Sequence, residues 1–218
     1  YPFGKFPLPS EAPWYEPLSL LTMIASNTTN IKLATAVLIA PLRNPALLAK
    51  TAATLDSISK GRLELGVGLG WQKEEYDTAG LSFENRAEVF WETLDICKLL
   101  WEDSPISFKG KYFNFDDIWC HPQPSQGKDL PLLFGLKMTP ENASKIARVG
   151  HGWIPIKTSR DFISAGKDIL SDAFNKEGRQ DQPRIRGQLP TCIDDGGVPS
   201  IDLTLKELEK SMAAGLNE

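Results

Sequence analysis

The chain has 218 residues, of which 41% are hydrophobic and 24% charged, and a formal net charge of −4. That length and balance suit one globular domain with a sizeable core and exclude a disordered chain. Lys and Arg are scattered among Asp and Glu, so no basic stripe points to nucleic acid, and no apolar run reaches the length of a membrane span.

Residues 1–14 (YPFGKFPLPSEAPW) are rich in Pro, Gly and aromatic residues without a period, and they read as a long loop of the kind that is usually functional. A helix is predicted over residues 16–26. Residues 31–40 form an almost continuous apolar run, as expected of a parallel strand covered on both faces. Asn44 and Pro45 open the next helix, with Leu48, Ala52, Leu55 and Ile58 as its apolar stripe and Gly61 as its stop. Residues 62–70 (RLELGVGLG) alternate strictly, with Leu63, Leu65, Val67 and Leu69 on one face and Gly66, Gly68 and Gly70 on the other. Phe83, Ala87, Phe90, Leu94, Cys97 and Trp101 then recur at helical spacing over residues 83–101.

An insertion over residues 106–126 reads as a β-hairpin (ISFKGKYFNF) followed by a Pro-punctuated crossing. After it, strands are predicted over residues 130–135, 151–156 and 184–193, with helices over 139–150, 159–177 and 204–214. Strand and helix alternate five times, which predicts an α/β fold with a parallel sheet in a single domain over residues 1–218.

That pattern fits a doubly wound sheet or a barrel. The three glycines sharing one face near the end of residues 62–70 would leave room for a flat ring at a barrel rim, or would let a neighbouring element pack closely. A dinucleotide fingerprint is excluded, since position 71 is Trp and the glycines lie within the strand pattern rather than after it. Cys97, Cys120 and Cys192 are too far apart for a disulfide framework or a zinc site and read as reduced thiols of a cytoplasmic protein; no metal site is predicted. With two histidines, His121 and His151, and no HxH, a metal-dependent barrel hydrolase is disfavoured. Glu74 and Glu75 read as exposed acids in a first helical turn.

Three stretches together resemble the luciferase-like monooxygenase superfamily: residues 33–80 (LATAVLIAPLRNPALLAKTAATLDSISKGRLELGVGLGWQKEEYDTAG), residues 106–124 (ISFKGKYFNFDDIWCHPQP) and residues 139–155 (TPENASKIARVGHGWIP). The resemblance implies a (β/α)8 TIM-type barrel with a β-hairpin insertion, which binds FMN or the deazaflavin coenzyme F420 at its C-terminal rim. Counted against that barrel, the chain supplies about strands three to seven and is truncated at both ends. The catalytic residues expected at the end of strand two are therefore unknown, and neither His121 nor His151 occupies their place.

By the same resemblance the cofactor-binding residues are Ala36 and Val37, at a strand bulge often containing a non-prolyl cis peptide, Gly68, Gly70 and Trp71 at the next rim, and Gly135, Leu136, Lys137 and Thr139 at a helix N-terminus suited to a phosphate. The family often has Gly-Gly where this chain reads Gly135-Leu136-Lys137. Lys137, Arg43 and the loop with Lys5 are candidates for the acidic tail of the deazaflavin. The implied function is an oxidoreductase transferring hydride to, or oxygenating, a small organic substrate, and acting as a homodimer when full length, with no nucleic-acid or membrane partner. The alternative is a non-catalytic flavin-binding relative or an inactive fragment.

Overall fold

The computed structural model describes residues 12–157, 159–189 and 191–218. Lys5 and most of the loop predicted over residues 1–14 lie outside the described residues. The chain divides into two compact units, one ending at Pro131 and the other spanning Leu132–Glu218.

The first unit begins with α1 (Pro17–Asn27), followed by β1 (Leu33–Ala34), β2 (Leu38–Ile39), α2 (Pro45–Ser59), β3 (Leu63–Gly68), α3 (Lys73–Thr78), α4 (Arg86–Glu102) and the antiparallel pair β4 (Ile106–Lys109) and β5 (Asn114–Ile118). Both β1 and β2 run parallel to β3. Every residue of β3 is buried, and α2 packs against it. The long run predicted as one strand over residues 31–40 is thus two short strands joined by a bulge, and Ile31 is exposed.

Local chemistry sets the helix ends. The Glu16 carboxylate caps α1 by accepting from the amides of Leu18 (3.2 Å) and Ser19 (2.7 Å), and it pairs with Arg43 at 2.6 Å. Burial raises the Glu16 pKa, but the hydrogen bonds from Ser19, Arg43 and Leu18 outweigh it and bring the carboxyl to about 2. On α2, Asn44 accepts from the Leu47 amide and Pro45 takes the first turn; the helix ends through Lys60 (φ 58°) and Gly61 (φ 78°) in the left-handed region. α4 packs against α2, where the buried Trp101 indole donates to the Ala49 carbonyl (3.0 Å) and the Cys97 thiol to that of Pro45 (3.5 Å). Burial pushes the Cys97 thiol well above the usual thiol range, leaving it a packing group. Phe83, predicted inside this helix, precedes it and instead meets Tyr76 edge-on at 5.4 Å.

Two buried polar groups tie the unit together. Asp56 accepts from the amides of Leu63 (3.3 Å) and Gln126 (3.0 Å) and from the Gln126 side chain (2.8 Å), joining α2 and the start of β3 to the segment after the hairpin. Arg62 donates five hydrogen bonds, to the carbonyls of Ser59, Ile31, Ala25 and Thr28 and to the Thr28 hydroxyl.

The second unit contains β6 (Leu132–Phe134), α5 (Pro140–Val149), β7 (Gly152–Trp153), α6 (Arg160–Lys176), β8 (Arg184–Ile185) and α7 (Ile201–Ala213). β6, β7 and β8 pair in chain order, all parallel. The strand predicted over residues 184–193 stops at Ile185; Ile193 instead makes an isolated antiparallel bridge with Pro199. Beyond β7, the other side of β8 is also engaged: the amides of Asn217 and Glu218 donate to the Ile185 carbonyl (3.1 and 3.2 Å), and Gly187 donates to Glu218 (3.1 Å).

Candidate functional site

In the first unit, four steps of chain from Ala34 to Leu38 are matched by three from Glu64 to Val67, so residues 35–37 carry one extra residue and bulge. Thr35 closes the bulge by donating from Oγ1 to the Gly66 carbonyl at 2.7 Å. The Ala36–Val37 peptide inside it is cis, the form the resemblance implied. Alternation puts Leu38 with Val67 on the core face and Val37 and Ile39 with Gly66 and Gly68 on the other. On that second face β3 has no side chain at either glycine, and Val37 beside it is 37% exposed. The result is a ledge of backbone without side chains, bordered by aliphatic groups, with Gly66 and Gly68 themselves buried.

Gly70 ends the ledge. Its φ is +73°, and an added Cβ would lie 2.8 Å from Cγ2 of Ile39, so both backbone and space require glycine. Trp71 follows with 59% of its surface exposed. Gln72 is the reverse: it is 3% exposed, it begins α3 without capping it, and its Nε2 has no hydrogen-bond partner among the described residues. An unpaired buried amide costs about 1–3 kcal/mol. The Tyr76 hydroxyl donates to the Leu69 carbonyl and anchors α3 under this exit, with burial pushing its pKa up to about 12. Glu74 and Glu75 lie in the first turn of α3 but are half-buried, and Glu74 Oε2 is buried without a partner among the described residues.

In the second unit, the candidate residues lead into α5. Thr139 is the N-cap, its hydroxyl accepting from the Asn142 amide at 3.2 Å, and Pro140 takes the first helical position. The Leu136 side chain is buried, and its carbonyl accepts from the Trp153 indole at 2.8 Å. Asn142 donates to the Lys137 carbonyl at 2.9 Å. These bonds fix the backbone of residues 136–142 and leave the Lys137 side chain exposed.

The remaining candidates fall elsewhere. Arg43 is engaged by Glu16. His121 is exposed beside Trp119, its ring 5.7 Å away. His151 accepts the Leu132 amide on Nδ1 at 3.2 Å, which links β6 to the start of β7 and leaves the ring proton on Nε2. Among the described residues no group of three or more His, Cys, Asp or Glu is placed to hold a metal, and no helix is long and apolar enough to cross a membrane.

Repeating strand–helix units with parallel strand pairing define an α/β protein of parallel architecture. The chain belongs to the luciferase-like monooxygenase family, whose model matches residues 3–197. It is 34% identical over 171 residues to an uncharacterized protein of Mycobacterium tuberculosis, covering 78% of this chain and 60% of that protein. It is 30% identical over 178 residues to the F420-dependent glucose-6-phosphate dehydrogenase of Kineococcus radiotolerans, covering 80% of this chain and 51% of that enzyme. The chain therefore spans between half and two thirds of the length of these relatives.

Two solved structures share its fold. Monooxygenase RslO1 from Streptomyces bottropensis superposes with a TM-score of 0.77 at 24% identity, covering 91% of this chain and 60% of that one. The oxygenating constituent of 3,6-diketocamphane monooxygenase from Pseudomonas putida, solved with FMN, gives 0.67 at 22% identity, covering 78% and 51%.

Proposed function

We propose that this chain belongs to a (β/α)8-barrel oxidoreductase that uses a reduced deazaflavin, coenzyme F420, or FMN to transfer hydride to, or oxygenate, a small organic substrate. The observation that carries the reading is the ledge of the first unit. Gly66 and Gly68, buried themselves, leave backbone without side chains, Val37 and Trp71 offer exposed apolar walls, and Gln72 holds an amide N–H with no partner among the described residues. That set suits a planar ring with carbonyl oxygens at its edge. In the second unit, the start of α5 offers the Glu141 amide, since Pro140 has no N–H and the Asn142 amide is held by Thr139, and Lys137 adds a full charge, which suit a phosphate. Thr139 contributes there as the cap, since its hydroxyl is already engaged.

When bound, either cofactor supplies the redox chemistry, while the protein supplies seat, orientation and exclusion of water. The deazaflavin is favoured, on the combination of Gly66-Val-Gly-Leu-Gly-Trp71 with Gly152-Trp-Ile-Pro155. Titration of the whole protein with each cofactor, followed by fluorescence, decides between them. Tight FMN binding without deazaflavin binding would reverse the assignment.

Two substitutions separate the contributions. Lys137→Ala is expected to weaken cofactor binding by about 1–3 kcal/mol, the range of a lost charge-assisted hydrogen bond; an unchanged dissociation constant would return Lys137 to solvent. Gln72→Leu removes the unpaired amide, so thermal stability should hold or rise by up to about 1 kcal/mol while cofactor affinity falls. Unchanged affinity in that variant would make Gln72 a packing residue.

A further inference from the structure

The strands of the first unit share one C-terminal end, because β1 and β2 both run parallel to β3. α1 runs the opposite way. Its last turn meets the start of β3, where Arg62 donates to the Ala25 and Thr28 carbonyls. Its cap, Glu16, meets Arg43 just past β2. Trp14 and Tyr15, the two residues ahead of that cap, are therefore held at the C-terminal end of the strands, where Gly70 and Trp71 also lie. Ile39 connects the two groups: it ends β2 four residues before Arg43, and its Cγ2 is the atom that an added Cβ on Gly70 would strike.

Trp14 is 73% exposed, Tyr15 68% and Trp71 59%. Single exposed apolar side chains are ordinary, but three large rings gathered at one strand end form a surface suited to binding. The cations beside these rings already have carboxylate partners. Arg43 is held by Glu16 at 2.6 Å, and Lys73 by both carboxylate oxygens of Asp77 at 2.8 Å. With its pKa brought to about 2, the Glu16 carboxyl stays charged and keeps hold of Arg43 across the ordinary pH range. The surface thus presents rings rather than net positive charge, which suits an uncharged ligand better than a phosphate or carboxylate. Aromatic faces favour another ring over an alkyl chain of similar area, because ring pairs gain from quadrupole alignment beyond their burial.

We propose that these rings form a mouth beside the cofactor seat that takes an uncharged aromatic compound, with Trp14 and Tyr15 stacking on it and setting specificity. Glu16 and Arg43 are positioning residues, fixing the segment that carries the two rings. The proposal rests on the oxidoreductase reading above only in calling that compound the substrate.

Equilibrium dialysis of the whole protein, with and without cofactor, against naphthol, octanol and glucose-6-phosphate tests it. Naphthol is expected to bind at least about 10-fold more tightly than octanol, and glucose-6-phosphate not measurably. Trp14→Ala with Tyr15→Ala should weaken naphthol binding by about 10-fold, and Trp14→Phe with Tyr15→Phe should recover most of it. Both positions are exposed, so far-ultraviolet circular dichroism and the cofactor dissociation constant should stay at wild-type values in either variant. Absence of naphthol binding in both states would overturn the inference, whatever the cofactor does, and leave the rings to the chain's own residues or to solvent. Equal binding of naphthol and octanol would also overturn it, as would equal losses in the alanine and phenylalanine variants. Tighter binding of glucose-6-phosphate would show that Arg43 or Lys73 is open to an anion and would reverse the assignment. Naphthol held through Trp14 and Tyr15 by a protein that binds neither cofactor would support the aromatic site and count against the cofactor seat alone.

Discussion

Gly152→Ala is expected to part β7 from β8 and to cost more than about 3 kcal/mol, beyond the usual range for overpacking, because the obstacle is backbone. An ideal Cβ on Gly152 would sit 1.9 Å from the Arg184 carbonyl oxygen and 2.7 Å from its carbon. Neither atom can swing aside as a side chain would. The pairing at risk is Gly152 with Arg184, held by the Arg184 amide on the His151 carbonyl (2.9 Å) and the Arg186 amide on that of Trp153 (3.0 Å). Urea denaturation should show a lowered midpoint, and hydrogen exchange should lose protection first at those two amides. Gly178→Ala is the control, since its φ is +72° but nothing lies within 4 Å, so only the backbone cost of about 1–2 kcal/mol applies. Equal losses in the two variants would mean that the strand contact can relax.

Arg62→Met should cost about 3–5 kcal/mol, the range for removing one partner from a buried charged network. Methionine keeps the apolar stem but withdraws the guanidinium from four carbonyls and one hydroxyl. Two of those carbonyls, Ala25 and Thr28, lie at the C-terminal end of α1, where a cation also meets the negative end of the helix. Arg62→Lys is the informative companion. A lysine ammonium has three donors and no fork, so it should recover less than half of the loss. A loss below about 1 kcal/mol for Arg62→Met would show that water replaces the guanidinium at little cost.

How much was legible in the sequence depended on the range of the interaction that set each element. The bounds of α2 were readable because Asn44, Pro45 and Gly61 act within a few residues. The division of residues 31–40 into β1 and β2 was not readable from the apolar run, since Thr35 donating to Gly66 acts across 31 residues. Only the resemblance pointed to a bulge there. Phe83 continued the helical spacing of α4, yet its ring is claimed by Tyr76 and by Arg86, whose guanidinium lies 3.7 Å from the ring centroid. The strand expected over residues 184–193 carried the right composition but pairs with β7 only at Arg184 and Ile185.

At the candidate site the same division holds. The glycines and Trp71 announced a ledge, because missing side chains are visible in a sequence. Gln72 did not, because an amide becomes an orphan only once its surroundings are folded around it. Lys137 and Thr139 were legible as the opening of a helix, but that Asn142 and Trp153 fix the preceding backbone was not.

The extra residue at positions 35–37 works as a frame shift written into the sheet. Side chains alternate in direction along a strand, so deleting one residue there would exchange the inward and outward sets of everything that follows in β2. Leu38 would move onto the glycine face, and Ile39 would turn toward the core. The segment can therefore drift in composition over time more freely than in length. An insertion or deletion that a surface loop would absorb without notice would here turn a strand inside out.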